Sequence, residues 1–370
     1  MANEQTPIRI YDLDLTLLGQ IGNYESLIFQ RSLYGIGKFT LTLEYNINNA
    51  DLLAKNKLIS VGKSENKVGI IRSYRYKNKG NSAMLIIQGY ELKWVLKSRI
   101  TIPTAAASHQ SFTNTEAETI IKDVVSRNLA SSDADVVQFK YPSYFTIAAD
   151  SARGDKFDFN TRYKKLNEEL EAFGELAEMG TQVTVDFDTG DWIFDVIVGV
   201  DRTYTTGASP VIFSNKYGNL KEQDYIDSDI DSANYAVVGG QGDGAARTIV
   251  ETGTSDTGVE MNVIFVDARD LNTNDELTAR GQEKLAKNAS ITSFEGVILP
   301  IGTFEYETDY DLGDEVTIQN DKLGVSIDRR IENIIEYYTA KGFNVELIFG
   351  KQQKTIDEMI ANMASETAIN

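Results

Sequence analysis

One histidine, no cysteine and a few clusters of carboxylates are all that these 370 residues offer to acid–base, nucleophilic or metal chemistry. His109 stands in a run of Ala and Ser. An imidazole can act as a general base, but no Cys exists to partner it, and no Ser motif or Asp arrangement completes a triad. It reads as a surface-loop residue. Without further His or any Cys, only carboxylate oxygens remain as metal ligands. Asp227, Asp229 and Asp231 have the opening spacing of a calcium loop. That loop needs Gly at its sixth position and Glu at its twelfth, and those places hold Ser232 and Val238. Strand alternation would instead set the three aspartates on one face of a solvated strand or turn. Gly239-Gly240-Gln241-Gly242-Asp243-Gly244 has the glycine content of a phosphate cradle. No Gly-Lys-Ser/Thr follows it and no strand–loop–helix context surrounds it. It reads as a loop between strands, where glycines tolerate positive φ.

Glu168, Glu169, Glu171, Glu175 and Glu178 could supply the paired carboxylates of a glycoside hydrolase. They fall on an amphipathic helix, where a charged solvent face accounts for them. Trp94 and Trp192 lie in apolar patterns and read as core. Asp328 and Arg330 suggest an ion pair, for which a contact between strands or subunits is the simpler role. No catalytic, cofactor-binding or metal-ligating residue is therefore assigned, and no cofactor is expected.

The elements that would position such residues are mostly short strands. Alternating apolar residues predict strands over 8–13, 24–33, 38–45 and 58–61, and a hairpin of 68–76 with 83–90 across Lys77-Asn78-Lys79-Gly80-Asn81. A short helix over 90–96 would end this β-rich region near Ile102-Pro103. The period then changes. Ala117, Ile120, Ile121, Val124, Val125 and Leu129 recur at helical spacing, with Thr113 or Thr115 placed to cap. A second helix is expected over 161–179, with Tyr163, Leu166, Leu170, Phe173 and Ala177 as its stripe and Gly180 as its stop. A hairpin of 182–187 with 192–200 follows. Strands return over 210–213, 220–231, 233–239, 247–251, 259–265, 291–299, 315–319, 323–339 and 342–349. A helix over 274–287, capped by Asn274 or Asp275, interrupts them. A capping box at Thr355 and Glu358 suggests a short terminal helix.

The expected fold is mainly β with an α+β insertion. Two β-barrel-like domains, 1–105 and 206–350, flank an α+β domain at 106–205, and 351–370 forms a helix or tail. Closure into barrels would hide the many strand edges. No apolar run approaches the roughly 18 residues of a membrane span, so none is expected, and Met1 to Thr6 lack the basic and apolar runs expected of a signal peptide. The formal net charge is −19, unevenly spread: residues 1–105 carry 14 Lys+Arg against 8 Asp+Glu, while residues 216–370 carry 13 against 29. An acidic bulk argues against general nucleic-acid binding. The basic first region suits one half of a complementary contact.

Ordered matches along nearly the whole chain carry a family resemblance. They are Ile8-Arg9-Ile10-Tyr11-Asp12, Leu17-Leu18-Gly19, Tyr24-Glu25-Ser26-Leu27 and Gly35-Ile36-Gly37-Lys38-Phe39. Val68-Gly69-Ile70-Ile71-Arg72, Gly89-Tyr90-Glu91-Leu92 and Arg99-Ile100-Thr101-Ile102-Pro103 follow. Later come the glycine loop with Arg247, Tyr310-Asp311-Leu312-Gly313-Asp314-Glu315-Val316, Gly324-Val325 with Arg330-Ile331, and Glu346-Leu347-Ile348-Phe349-Gly350. The chain resembles the Gp37-like tail proteins of phages and prophages with long non-contractile tails and, more distantly, the trimeric baseplate-hub proteins that end a tail tube.

The resemblance implies a structural tail-tip protein rather than an enzyme. It would form a homotrimeric ring that joins the tail tube or distal tail protein to host-facing baseplate components. DNA would pass through without specific binding. The protein would be assembled in the bacterial cytoplasm and reside at the virion tail tip. Only about twenty residues follow Phe349, too few for the peptidase or lysozyme domain that some larger hubs append. The alternative function is a carboxylate-based cell-wall glycan hydrolase. It would require a polar cleft with two carboxylates about 5–9 Å apart.

Overall fold

Leu27 and Phe29, like Phe39, Leu41 and Leu43, are apolar and buried at every second position, which fixes the register of their strands against a core. The computed structural model describes residues 5–79, 82–105, 107–134, 136–207, 209–298 and 303–349. The chain opens with β1 (Ile8–Tyr11), β2 (Leu17–Ile21), β3 (Ser26–Ser32), β4 (Lys38–Glu44), β5 (Leu58–Val61), β6 (Val68–Lys79) and β7 (Ser82–Glu91). A 3-10 turn, Leu92–Ser98, ends this run. Next come β8 (Gln110–Glu116), α1 (Ala117–Val125), β9 (Phe145–Ile147), β10 (Lys156–Thr161), α2 (Leu166–Ala177), β11 (Gly180–Asp186) and β12 (Asp191–Ile197). Then follow β13 (Asp201–Arg202), β14 (Ile212–Ser214), β15 (Leu220–Ser228), β16 (Tyr235–Gly239), β17 (Ile249–Gly253), β18 (Val263–Asp267) and α3 (Asn274–Lys287). The last strands are β19 (Ile291–Ile298), β20 (Glu315–Asn320), β21 (Val325–Thr339) and β22 (Gly342–Phe349). The expected terminal helix, and part of the expected 77–81 turn, lie outside the described residues.

Compactness divides the chain into a unit of Met1–Gln223 with Gly296–Phe349 and a unit whose described part is Asp224–Glu295. In the first unit the strand order runs β22-β21-β3-β4-β7-β6-β5-β1-β2. The C-terminal hairpin thus pairs with a strand from the start of the chain: Asn333 faces Ser32 and Thr339 faces Ser26. The first half of β21 instead pairs with β20, which also runs parallel to β13 and β14.

The main sheet curls without closing among the described residues. Ile8, Ile10, Leu27, Phe29, Phe39, Leu41, Leu43, Leu85 and Ile87 share one core with Tyr338. Strands far apart in the order therefore face one another. Register breaks at Ile71/Ser73 and Ile331/Asn333 supply the bend. Two glycines make room inside it. A Cβ on Gly89 would lie 2.5 Å from the Phe39 ring, and one on Gly69 would lie 2.6 Å from it, so the ring lies flat over bare backbone. No closed barrel is found among the described residues, contrary to the expected pair. The strand runs foreseen as a second barrel divide instead: β20–β22 join the first sheet, while β16–β18 form their own.

On the other side of the first sheet, a second core gathers Leu92, Val95 and Leu96 with α1, α2 and the β11–β12 hairpin. Ile120, Ile121, Val124 and Val125 supply the buried stripe of α1, as their spacing predicts. The caps differ from expectation. Thr113 and Thr115 belong to β8, and α1 begins after Glu116 with no side-chain cap. The second helix starts later than expected, because Lys156–Thr161 pairs with β8 and Tyr163 takes a left-handed turn at φ 51. Tyr163 is consequently 58% exposed rather than in the stripe. The helix stops at Glu178, itself left-handed at φ 51, and Gly180 opens β11.

The second unit is a three-stranded sheet, β17-β16-β18, packed on α3. Ala236, Val238, Val266, Ala268 and Leu277 form its core. Thr273 caps α3 in a capping box with Glu276, in place of the expected Asn274 or Asp275. No helix among the described residues is long and apolar enough to cross a membrane.

Candidate functional site

The residues singled out by type are dispersed, and most are committed to holding the fold. His109 is exposed, with Nδ1 3.2 Å from the Ser108 hydroxyl. It borders an open cleft of about 690 Å³ that also takes in Gln110, Asp123 and Arg127. Burial, aided by Asp150, pushes the Asp123 carboxyl up from its ordinary value. Among the described residues Asp123 is the one carboxylate lining this cleft, so they do not assemble there the pair that glycoside hydrolysis requires. A second cleft of about 670 Å³ is lined by Glu65 and Asp311, but Asp311 accepts from Arg31 at 2.7 Å.

Asp227 ends on β15, whereas Asp229 and Asp231 sit in the following turn, because β15 stops at Ser228. The three therefore do not share a strand face. No group of three or more metal-ligating side chains occurs among the described residues. In the glycine loop, the Arg247 guanidinium is held by two backbone carbonyls and a carboxylate. Its Nη2 donates to the Gly239 carbonyl at 2.8 Å and to Asp267 at 2.6 Å, and its Nε donates to the Gly240 carbonyl at 3.0 Å. A Cβ on Gly239 would meet that guanidinium at 2.6 Å, which explains the glycine.

The α2 glutamates split. Glu168 pairs with Lys165 at 2.7 Å on the surface, and Glu178 with Arg330 at 3.3 Å. Glu169 is buried against Lys164, not on the solvent face expected of it. Trp192 is 1% exposed and belongs to the core, while Trp94 is half-buried under the Arg72 guanidinium. Asp328 and Arg330 make separate contacts. Asp328 accepts from the Thr317 hydroxyl, and Arg330 donates to the Gly313 and Val198 carbonyls at 2.7 and 3.0 Å.

Sequence reasoning missed three buried charge clusters. In the first, Glu336 is 0% exposed and accepts from Lys67 at 2.8 Å, from the Tyr306 hydroxyl at 2.6 Å and from the Tyr338 hydroxyl at 2.8 Å. Arg31 joins by donating to Tyr306 and Asp311 at 3.0 and 2.7 Å. Burial drives the Tyr306 and Tyr338 phenols far above their usual range. In the second, Lys93 Nζ donates to the carbonyls of Ser32, Leu33 and Thr181 at 2.6, 3.1 and 2.8 Å. Burial pulls its ammonium pKa down, and burial pushes the neighbouring Glu91 carboxyl up.

In the third cluster, Glu118 on α1 accepts from the Arg153 guanidinium at 2.8 and 2.9 Å and from Lys122 at 2.7 Å. Lys122 also reaches Asp195 at 2.8 Å. The one sequence trace of this cluster is the four-residue spacing of Glu118 and Lys122, which signals a pair but not its burial.

The Glu118 cluster has a pH signature. Arg153 above all holds the Glu118 carboxyl well below the usual carboxylate range. A depressed folded-state pKa adds stability above the unfolded value of about 4.3 and loses it as pH falls toward the folded one. Glu118→Gln is therefore expected to destabilise the protein at pH 7, and its stability curve should begin to approach the parent's below about pH 4 and draw closer as pH falls further. Chemical denaturation across pH 3–7 checks this; parallel curves would contradict it.

These geometries fix the charged side chains in ion pairs and hydrogen bonds within the fold. A family model, the Siphovirus ReqiPepy6 Gp37-like protein, matches residues 7–351. The chain belongs to this family. Solved structures share the Gp37-like chain's fold at low identity. The 43 kDa tail protein of prophage MuSo2 from Shewanella oneidensis is 13% identical, with a TM-score of 0.57 over 93% of this chain and 98% of that one. The tail protein of Neisseria meningitidis MC58 is 11% identical, with a TM-score of 0.55 over 93% and 96% of the two chains. Prophage tail protein gp18 of Listeria monocytogenes EGD-e is 11% identical, with a TM-score of 0.50 over 97% and 98%. No curated protein sequence matches. Family and fold together support a structural role for this Gp37-like protein in a phage or prophage tail.

Proposed function

We propose that this protein is a structural component of the tail tip. Three copies would form a baseplate-hub ring at the distal end of the tail tube and connect it to host-facing components. The observation that carries this reading is the extent of the likeness: the family matches residues 7–351, and one prophage tail protein is covered over 98% of its length. The internal ion pairs add to it, since they commit the chemistry-capable side chains to holding the architecture.

Within the ring, the β-rich regions 1–105 and 206–350 would build the wall, and 106–205 would sit outside it. The lumen would be acidic or neutral, because arrayed Lys and Arg would hold passing DNA through its phosphates. The excess of acid in residues 216–370, 29 against 13 bases, supports this. Assembly would take place in the bacterial cytoplasm and end in the virion. The test is copy number. Native mass of the protein with its tail neighbours should give three copies, and a reconstituted tip with one or two would reject the ring. Incubation with cell-wall material should release no glycan. Cleavage abolished by changing one carboxylate to its amide would favour the hydrolase instead.

A further inference from the structure

The sheet of the second unit has two faces, and residues directly opposite each other across its strands share one of them. Ala236, Val238 and Val266 point to the face that α3 covers. Their neighbours along each strand point the other way. There Val237 lies opposite Phe265 of β18 and Glu251 of β17, Tyr235 lies opposite Val263, and Gly239 opposite Ile249. Ile249, Val263 and Phe265 are 48%, 55% and 59% exposed. An apolar cluster thus stands open on a sheet whose other face is already covered, and clusters of this kind mark interaction sites. Its rim is polar and fixed. The Arg247 guanidinium lies over the Phe265 ring at 5.3 Å and is tied to Asp267, and Glu251 accepts from the Tyr235 hydroxyl at 2.8 Å. The three strands set the width of the face at about 10 Å, two spacings of roughly 4.8 Å.

The sequence supplies a segment of matching shape. Residues 350–370 lie outside the described residues. Within them Ile356, Met359, Ile360 and Met363 recur at i, i+3, i+4 and i+7, behind the capping box of Thr355 and Glu358. As a helix this stripe would run about 10 Å, the width of the open face. Asp357, Glu358 and Asn362 would then turn away from it. A helix this short is marginal by itself in water, so it needs a surface to receive its stripe. Methionines suit an irregular surface and contact aromatic edges favourably, which fits them to Phe265. We infer that residues 355–363 dock, as an amphipathic helix, on the open face of β17-β16-β18 in the same chain. The sheet would then carry α3 on one side and this helix on the other, a layered arrangement that buries both apolar faces. Attachment to the chain raises the helix's effective concentration, so a modest patch suffices to hold it.

Hydrogen exchange on the full chain tests the contact. Backbone amides of 355–363 should exchange at least about tenfold more slowly than those of an unstructured segment. Val263→Asp with Phe265→Asp should abolish that protection while β16 keeps its own, and Ile356→Asp with Ile360→Asp should abolish it without touching the sheet. Unprotected amides in the parent overturn the inference, as does protection that survives either pair of changes. Disulfide trapping locates the helix even if the face variant unfolds the second unit. The chain has no cysteine of its own. Met359→Cys, combined in turn with Val237→Cys, Ile249→Cys and Val263→Cys, should close in at least one pair to a disulfide within a single chain. Combined with Lys284→Cys, at an exposed position of α3, it should not. Closure between two chains assigns the face to a second copy and overturns the inference. Closure no better than the Lys284 control overturns it as well.

Discussion

Lys93→Met is expected to lower the stability of the first unit by about 3–5 kcal/mol, the range for removing one partner from a buried, hydrogen-bonded charge. Met keeps the length and the apolar stem but donates nothing. The Ser32, Leu33 and Thr181 carbonyls would lose their ammonium, and Glu91, 3.6 Å away, would lose its counter-charge. Leu33 retains a second partner, the Thr181 N–H at 3.0 Å, so the strands stay in register while the enclosed oxygens go short. The effect should appear as a lower denaturant midpoint at constant slope. A loss below about 1 kcal/mol would mean that water replaces the ammonium, and the site would then be no true interior.

Glu336→Leu should cost a similar amount, roughly 3–5 kcal/mol, for a different reason. The carboxylate is the shared acceptor of one ammonium and two phenols. Among the described residues, Lys67 would keep Glu307 at 3.0 Å and the face of the Tyr306 ring, and the Tyr306 hydroxyl would keep the Arg31 guanidinium at 3.0 Å. The decisive measurement is the double change with Lys67→Met. Replacing both members of a buried pair with apolar groups is often neutral, so the double variant should be more stable than the sum of the single losses implies. Additive losses would show that the pair acts as two independent contacts.

These clusters mark where the sequence stopped being informative. The α1 stripe was readable because its signal repeats every three or four residues within one segment. β1 and β3–β7 were readable for the same reason, at a period of two, whereas β2, Leu17–Ile21, was not among the expected strands. Lys93 carries no local sign of burial, since its acceptors lie 61, 60 and 88 residues away. Lys67 and Glu336 likewise look like surface charges until β21 is laid beside β3. The expected pair of barrels is not confirmed, on pairing partners rather than on strands. Alternation says that β20–β22 are strands, but not that their edge belongs to the first sheet. Tyr163 failed on backbone conformation, because a left-handed residue breaks a helix that its side chain would suit. The assignment of no catalytic residue rested on residue types alone, whereas the clefts required coordinates to place Asp123 and Asp311.

The β3–β21 pairing also sets a timetable for synthesis. Gln30 and Asn333, which hydrogen-bond across it, are 303 residues apart. At about 5–20 residues per second, β3 waits on the order of 15–60 s on the ribosome before its neighbour exists. During that interval its edge is bare, and the side of the core that Tyr338 will cover is open. A nascent chain in this state can recruit the wrong strand, including β3 of another nascent chain. Shielding of that edge during translation therefore bears on yield in the cell, alongside the stability of the finished protein.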